Sequence, residues 1–438
     1  MMGIVPRLSA RPIWRPTASH IRASLTAVVL ALVAVLARRA DLLVLASPVA
    51  IIGAWSMVTR PPGPPEVTAR LADPALREGE ATTWRATVTD AGGIDTLVAV
   101  MPHASWIVAR PVSRVVSTHV DADADTADLA LAIRSTRWGR HEVPHVTIVA
   151  SSAWGAFVWS DRTSVLSLIS LPLPSTFDSS AAIRRTSGLV GLDRSSRAGD
   201  GTDFAGIRAF QSGDRMRRIN WPRSMRAGSL HVTSTWADQD TLVVLEVDAT
   251  DDIGISGGVD GRASSLDSAV RAAGAIAEHH VQRGDRVTLR VFGSSSARTV
   301  PAASGRNQLR RILDELSGVR GGSDPSGFRT RGHLLAPADS LLILFSPLVS
   351  VAPLDRAVAL ARRGVAVVVV DTLPEHVTDD EDPLTTLAWR IRLLERNREV
   401  RRAEELGVAV VAWRGPGSLD QFLRDVSRRA SAPRMATR

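Results

Sequence analysis

Two apolar runs close to the start of the chain constrain everything that follows. Between Arg22 and Arg38 lie fifteen uncharged, mostly apolar residues, and between Asp41 and Arg60 lie eighteen more. A helix that crosses a bilayer needs about 17 to 25 residues. The second run reaches that length, and the first does so when Arg22 and Arg38 extend to the headgroups. Only Arg38-Arg39-Ala40-Asp41 separates the two. The pattern predicts a basic tail over 1–20 and a transmembrane hairpin over 21–60, with helices at about 22–38 and 42–59. A secretory signal shares the basic tail, short apolar stretch and Ala-rich exit, but it would leave the second run exposed, so the hairpin is the better reading.

A hairpin places both flanks on one side. Arg7, Arg11, Arg15 and Arg22 precede it, Arg60, Arg70 and Arg77 follow it, and the turn holds two more arginines. The positive-inside rule then predicts an inner (plasma) membrane protein whose C-terminal part is cytoplasmic. The first 60 residues hold seven arginines and one acid, whereas the remaining 378 hold 46 arginines and 44 acids. A nearly balanced remainder, without a basic block interleaved with aromatics, excludes nucleic acid as the expected partner. The 438 residues include no cysteine, tyrosine or lysine. That excludes a Walker A loop, a Schiff-base enzyme, a thiol nucleophile, a thiolate zinc site and a disulfide. The arginine-only basic set reflects a GC-rich genome rather than a function.

After the stiff linker Arg60-Pro61-Pro62-Gly63-Pro64-Pro65, the segment 61–175 alternates in short runs. Thr82 to Val88, Thr96 to Met101, Ala127 to Ile133 and His145 to Val149 are separated by turn-formers such as Asp90-Ala91-Gly92-Gly93. They predict an antiparallel β-sandwich with Trp84, Trp106, Trp138, Trp154 and Trp159 in its core. From 239 to 430 strands and helices alternate. Leu242 to Val247 reads as an apolar run fit for a buried parallel strand. A helix from Leu266 to Arg283 follows, with Leu266, Val270, Ala273, Ala277 and Val281 on one face and Gly284 as its stop. Strands at Arg286 to Phe292, Leu341 to Phe345, Val365 to Val370 and Val408 to Trp413 alternate with further helices. These are a helix carrying Leu309, Ile312, Leu313 and Leu316, then Leu354 to Arg363, Leu384 to Leu406 and Leu419 to Arg429. The series predicts a doubly wound, mostly parallel α/β domain whose ligands bind at the carboxyl ends of the strands.

Between these parts, over 176–238, runs the most distinctive local pattern, Phe204 to Trp221. Asp214 can cap a short helix and pair with Arg218 at i+4, Gly213 can take a left-handed turn, and Trp221 would anchor the loop. Together these predict a folded connector rather than a catalytic centre. The segment resembles the signature of the bacterial family called "domain of unknown function 58", through Arg208, Phe210, Gly213-Asp214, Arg218-Ile219, Asn220-Trp221, Arg226 and Asp248. Phe210 stands where that family usually has tyrosine, and Asn220 where it has aspartate. The resemblance extends to Arg137-Trp138-Gly139-Arg140, Gly284-Asp285-Arg286-Val287, Ser346-Pro347 and Gly407 to Trp413. It implies a membrane hairpin, a β segment and a von Willebrand factor A-like domain, often encoded beside MoxR-type AAA+ ATPases. The resemblance implies a membrane-anchored protein of unsettled biochemical role. Together with the absence of a convincing catalytic set it predicts a non-enzymatic interaction or scaffold protein in a chaperone-like or envelope-related assembly, with such an ATPase and the lipid bilayer as partners.

Three readings compete at the strand ends. Von Willebrand A-type domains carry Asp-x-Ser-x-Ser after the first strand, and oxygen ligands there suit Mg²⁺. Here Asp248, Thr250 and Asp252 form a degenerate version, and the later loop, Ser346-Pro347-Leu348, offers no aspartate. A metal-dependent adhesion module facing out of the cell belongs to this reading. Secondly, Gly254-Ile255-Ser256-Gly257-Gly258 formally matches Gly-x-Ser-x-Gly, with Asp371 and His376 following in hydrolase order. A nucleophile elbow needs the serine directly after a strand, so Gly-rich turns explain this run better. Thirdly, the charged helix Leu384 to Leu406, with Arg390, Arg392, Arg396, Arg398, Arg401 and Arg402 among four glutamates, reads as a solvated face open to docking of an acidic patch. His279-His280 point about 100° apart and suit helix-end dipole compensation better than a metal.

Overall fold

The computed structural model describes residues 12–121, 124–173, 198–212, 214–236, 242–293, 299–322, 336–337, 340–375 and 382–414. Two compact units divide the chain, Met1–Leu171 and Pro172–Arg438.

The first unit begins with β1 (Arg15–Pro16), α1 (Ala18–Ala37) and α2 (Asp41–Val58). Thr17 caps α1 by accepting the His20 amide at 3.2 Å, and Arg38 ends it in the left-handed region at φ 52. Both helices are long and apolar enough to cross a membrane. Leu25, Val28, Leu32 and Val35 on α1, and Val44, Leu45, Ile51 and Trp55 on α2, are all exposed. That disposition is unfavourable in water and compatible with anchoring in a bilayer.

Ten strands then follow up to residue 162: β2 (Glu66–Leu71), β3 (Ala75–Arg77), β4 (Ala81–Thr89), β5 (Ile94–Val100), β6 (Ile107–Arg110), β7 (Val115–His119), β8 (Thr126–Ser135), β9 (Gly139–Val143), β10 (Thr147–Ser152) and β11 (Phe157–Arg162). The last strand of the unit is β12 (Leu166–Leu171). One antiparallel sheet runs β1-β11-β10-β5-β7, a second β2-β4-β8-β6, and β3-β12-β9 form a small mixed sheet. Alternate residues of β4 and β8, including Trp84, Ala86, Leu129 and Leu131, share one core with Leu97, Ile148 and Trp159 from the first sheet. The period-2 alternation therefore produces the expected layers. Trp84, Trp138 and Trp159 are buried, but Trp154 is 71% exposed and holds φ 61. It is a surface residue, contrary to the sequence expectation, because the turn at 153–155 projects it away from the core.

Long-range contacts tie the hairpin to this unit. Arg15 and Pro16 pair with Val158 and Phe157, and the Thr17 amide donates to Ala156 O at 2.9 Å. From the other end of the hairpin, the Arg60 guanidinium lies 5.2 Å from the Phe157 ring centroid. Trp14 Nε1 donates to Gly63 O at 2.8 Å. The segments before α1 and after α2 thus meet on the same strand, so both flanks leave the hairpin on one side.

The second unit starts with β13 (Ala198–Ala209) and β14 (His231–Trp236), an antiparallel pair bracketing α3 (Trp221–Ala227). Next come β15 (Leu242–Asp248), α4 (Ser265–Gln282), β16 (Arg286–Phe292), β17 (Thr299–Ala303), α5 (Arg306–Ser317), β18 (Leu341–Ser346), α6 (Ala352–Arg362), β19 (Ala366–Asp371), α7 (Pro383–Glu405) and β20 (Ala409–Ala412). They build a six-stranded sheet ordered β17-β16-β15-β18-β19-β20, parallel except for β17 at the edge. The expected helix at Leu419 to Arg429 lies outside the described residues. Leu342 and Leu344 pack with Leu354, Ala357 and Leu360 of α6, while the intervening Ile343 and Phe345 are equally buried. Burial of successive residues means that both faces of the sheet are covered, which explains the near-continuous apolar strands. Ser264 and Asp267 form a reciprocal capping box that starts α4.

One strand departs from the expected pattern. Glu246 sits inside β15, fully buried, where the apolar run was expected to be continuous. Arg356 from α6 meets it with two hydrogen bonds of 2.7 and 2.8 Å, and Arg290 of β16 adds a third at 3.3 Å. The contact with Glu246 holds the Arg356 guanidinium above its ordinary pKa.

Candidate functional site

The central strand β15 ends at Asp248, its neighbour β18 at Ser346, and β19 beyond it at Asp371. Parallel register alone brings these three side chains to one edge, with Ser346 directly opposite Asp371. Ser346 Oγ donates to Asp248 Oδ2 at 2.7 Å, and the Thr250 amide donates to Oδ1 at 3.0 Å. Asp248 is 4% exposed. Burial pushes its carboxyl above the usual range, against the hydrogen bonds it accepts. Asp371 accepts the Leu373 amide at 3.1 Å and forms an ion pair with Arg396 at 2.5 Å.

Of the three candidate metal ligands, Asp248 and Thr250 meet through the Thr250 amide, and Asp252 bonds elsewhere. Asp252 Oδ1 accepts the Leu266 amide at 3.0 Å and Ser265 Oγ at 3.4 Å, which ties it to the start of α4. Among the described residues the Thr372 hydroxyl is buried at the strand ends without a hydrogen-bond partner. Among the described residues no group of three or more His, Asp or Glu could hold a metal ion. The oxygens here suit a hard cation in type, but Asp248 is one buried carboxyl with both oxygens already bonded.

Close packing fixes the turn after Asp248. Gly293 has φ +76, and a Cβ there would lie 2.4 Å from both the amide nitrogen and Oγ1 of Thr250. Gly293→Ala should therefore destabilise the chain by about 2 kcal/mol through overpacking, and more through the left-handed backbone. Thermal denaturation checks this; an unchanged midpoint would show that the turn can move aside.

Of the hydrolase candidates, Ser256 and Asp371 lie within the described residues. Ser256 lies in the 249–264 loop, eight residues beyond the strand, and accepts the Gly258 amide at 3.2 Å. Gly254 and Gly258 have φ of +85 and +70, so the glycines serve turns rather than an elbow. Asp371 is paired with Arg396, and His376 lies outside the described residues.

The connector differs from expectation in its pairing. Asp214 is held by Arg208 through two hydrogen bonds of 2.6 and 2.7 Å, not primarily by Arg218. It also accepts the Gln211 amide at 2.8 Å. The Arg208 hydrogen bonds hold its carboxyl below the usual range, and the charge of Arg218 adds to this. Asn220, rather than Asp214, caps α3 by accepting the Arg223 amide at 3.1 Å. Trp221 is 60% exposed and anchors nothing in the unit. Gly213 lies outside the described residues.

The charged helix α7 is not a uniformly solvated face. Arg396 is buried and donates to Pro347 O at 3.0 Å, and Arg392 donates to Val349 O at 2.8 Å. Both clamp α7 to the loop after β18. On the opposite side Leu384, Leu387, Ile391 and Leu394 are 51–76% exposed. Their 3-4-3 spacing makes one apolar stripe, which the charge count of the sequence concealed. Burial pushes His279 down to about 4, so it is neutral near pH 7 and does not act as a helix-end cation. His280 instead bonds Asp285 at 2.7 Å.

Residues 206–417 match the family model described as "Protein of unknown function DUF58". The chain is also similar to uncharacterized proteins of Mycobacterium bovis and of two Mycobacterium tuberculosis strains. Each is 28% identical over 145 residues, 33% of this chain and 43% of the relative. The match thus spans less than half the length of these relatives.

Proposed function

We propose that the chain is a membrane-anchored, non-enzymatic adaptor that docks a protein partner on α7. The observation that carries this reading is the stripe Leu384, Leu387, Ile391 and Leu394, exposed on a helix whose other side is clamped to the loop after β18. Further along the helix Arg398, Arg401 and Arg402 are exposed. An apolar stripe leading into cations fits a partner helix with an apolar face and an acidic end. The resemblance supports a MoxR-type AAA+ ATPase as the source of that helix. A sheet with its first strand central, covered on both faces, supports a von Willebrand A-like domain as the platform. Basic residues around the hairpin support a cytoplasmic placement at the plasma membrane.

Full-length protein carrying Ile391→Glu and Leu394→Glu tests the proposal. Both positions are outward, so the melting temperature should stay within a few degrees, whereas recovery of the ATPase from native membranes should be lost. Retention of the partner by this folded variant would sink the docking surface. Addition of Mg²⁺ should leave the melting temperature unchanged. A rise that disappears in Asp248→Ala would reinstate a cation at the strand ends.

A further inference from the structure

The connector between β13 and β14 carries apolar side chains that its own fold leaves uncovered. Met216 is 79% exposed, Trp221 60% and Met225 81%. Trp221 and Met225 are four residues apart on α3 and so share one face. Leu230, also exposed, closes the segment. Arg217, Arg223 and Arg226 are exposed among them. Asp214 is the sole acid from 214 to 231, and Arg208 occupies its carboxylate. The base of the segment is firmly held: Asn220 N donates to His231 O, and His231 N donates to Ser224 Oγ, both at 2.9 Å.

Tryptophan combines an apolar ring system with one polar N–H and suits the boundary between headgroups and acyl chains. Methionine fills irregular apolar surroundings without a fixed shape. Arginines beside them are drawn to anionic headgroups. We infer that the segment from Met216 to Leu230 is a second membrane contact, inserting Trp221 and Met225 into the interface of an anionic bilayer while Arg217, Arg223 and Arg226 engage lipid phosphates. A bilayer is favoured over an acidic protein because the chain carries its own apolar hairpin, and tethering makes a weak lipid contact effective. Only this proximity argument rests on the anchored reading above.

The chain has no cysteine, so Met225→Cys in the full-length protein can carry a single environment-sensitive fluorophore, with Leu32→Cys as a separate probe on α1. In nanodiscs containing phosphatidylglycerol, the probe at 225 should shift to the blue and be quenched by nitroxide-bearing lipid. In pure phosphatidylcholine most of that quenching should vanish. Neutralising the cations with Arg217→Gln, Arg223→Gln and Arg226→Gln should weaken the contact roughly 100-fold, since each contributes about fivefold near an anionic surface. A probe at 225 that stays water-exposed and unquenched in both lipids overturns the inference. Quenching at 32 with none at 225 removes the second contact and leaves the anchor standing, whereas quenching at neither removes both.

Discussion

Glu246→Ala should destabilise the second unit by about 4 kcal/mol, because it strips the partner from two arginines in a dry interior. Glu246 is 0% exposed on its side chain, and Arg356 and Arg290 are each 12% exposed. Arg356 is further held over the Phe292 ring, 5.2 Å from its centroid. Truncating the carboxylate removes the acceptor of both Arg356 hydrogen bonds and one contact of Arg290 in a desolvated interior, which is worse than having no charges there. Replacing Glu246, Arg290 and Arg356 together by leucine should recover most of the loss, since a buried ion network often stabilises no more than a packed apolar cluster. Thermal denaturation followed by circular dichroism should show a midpoint lowered by about 10 °C for the single substitution. A single substitution milder than about 1 kcal/mol would mean that water reaches the cluster.

Arg396→Ala should cost about 3 kcal/mol and loosen α7 at the strand ends. Its guanidinium, 7% exposed, faces Asp371, whose side chain is 19% exposed. The same side chain donates to Pro347 O at 3.0 Å. Losing it removes the only cation paired with Asp371 among the described residues, leaving that carboxylate with the Leu373 amide, and takes the arginine donor from the Pro347 carbonyl. Because Arg392 still holds Val349 O, the helix should detach at one point rather than unfold. Amide exchange at Pro347-flanking residues 346 and 348 and across β20 would register this as faster local opening. Unchanged exchange there, with only a lower global midpoint, would show that Arg396 contributes stability without positioning the helix.

Much of the architecture was legible in the chain because it depends on local periodicity. Two apolar runs with one charged break specify a hairpin, and alternation at period 2 specifies strands such as β4 and β8. The C-terminal end of α4 follows from Gly284, since helix termination is a short-range matter. The candidate site was legible only in part. Asp248, Ser346 and Asp371 come to one edge because parallel strands in register end together, and a sequence of alternating strands and helices already implies that.

What bonds those side chains was not legible. Whether Asp252 turns toward Asp248 or toward the Leu266 amide depends on where α4 lands. The same charged helix could have been solvated all round, yet packing buries Arg396, leaves Arg398 outside and turns Leu384, Leu387, Ile391 and Leu394 outward.

By itself the sequence determined the two apolar helices, the order of elements and the edge at which the parallel strands end, because these follow from composition and spacing within about twenty residues. Tertiary structure alone decided that Glu246 has partners 44 and 110 residues away, that β1 closes onto β11, and that Trp221 faces outward. Those outcomes are set by which surfaces meet across long sequence separations, and no local pattern encodes the identity of the distant partner.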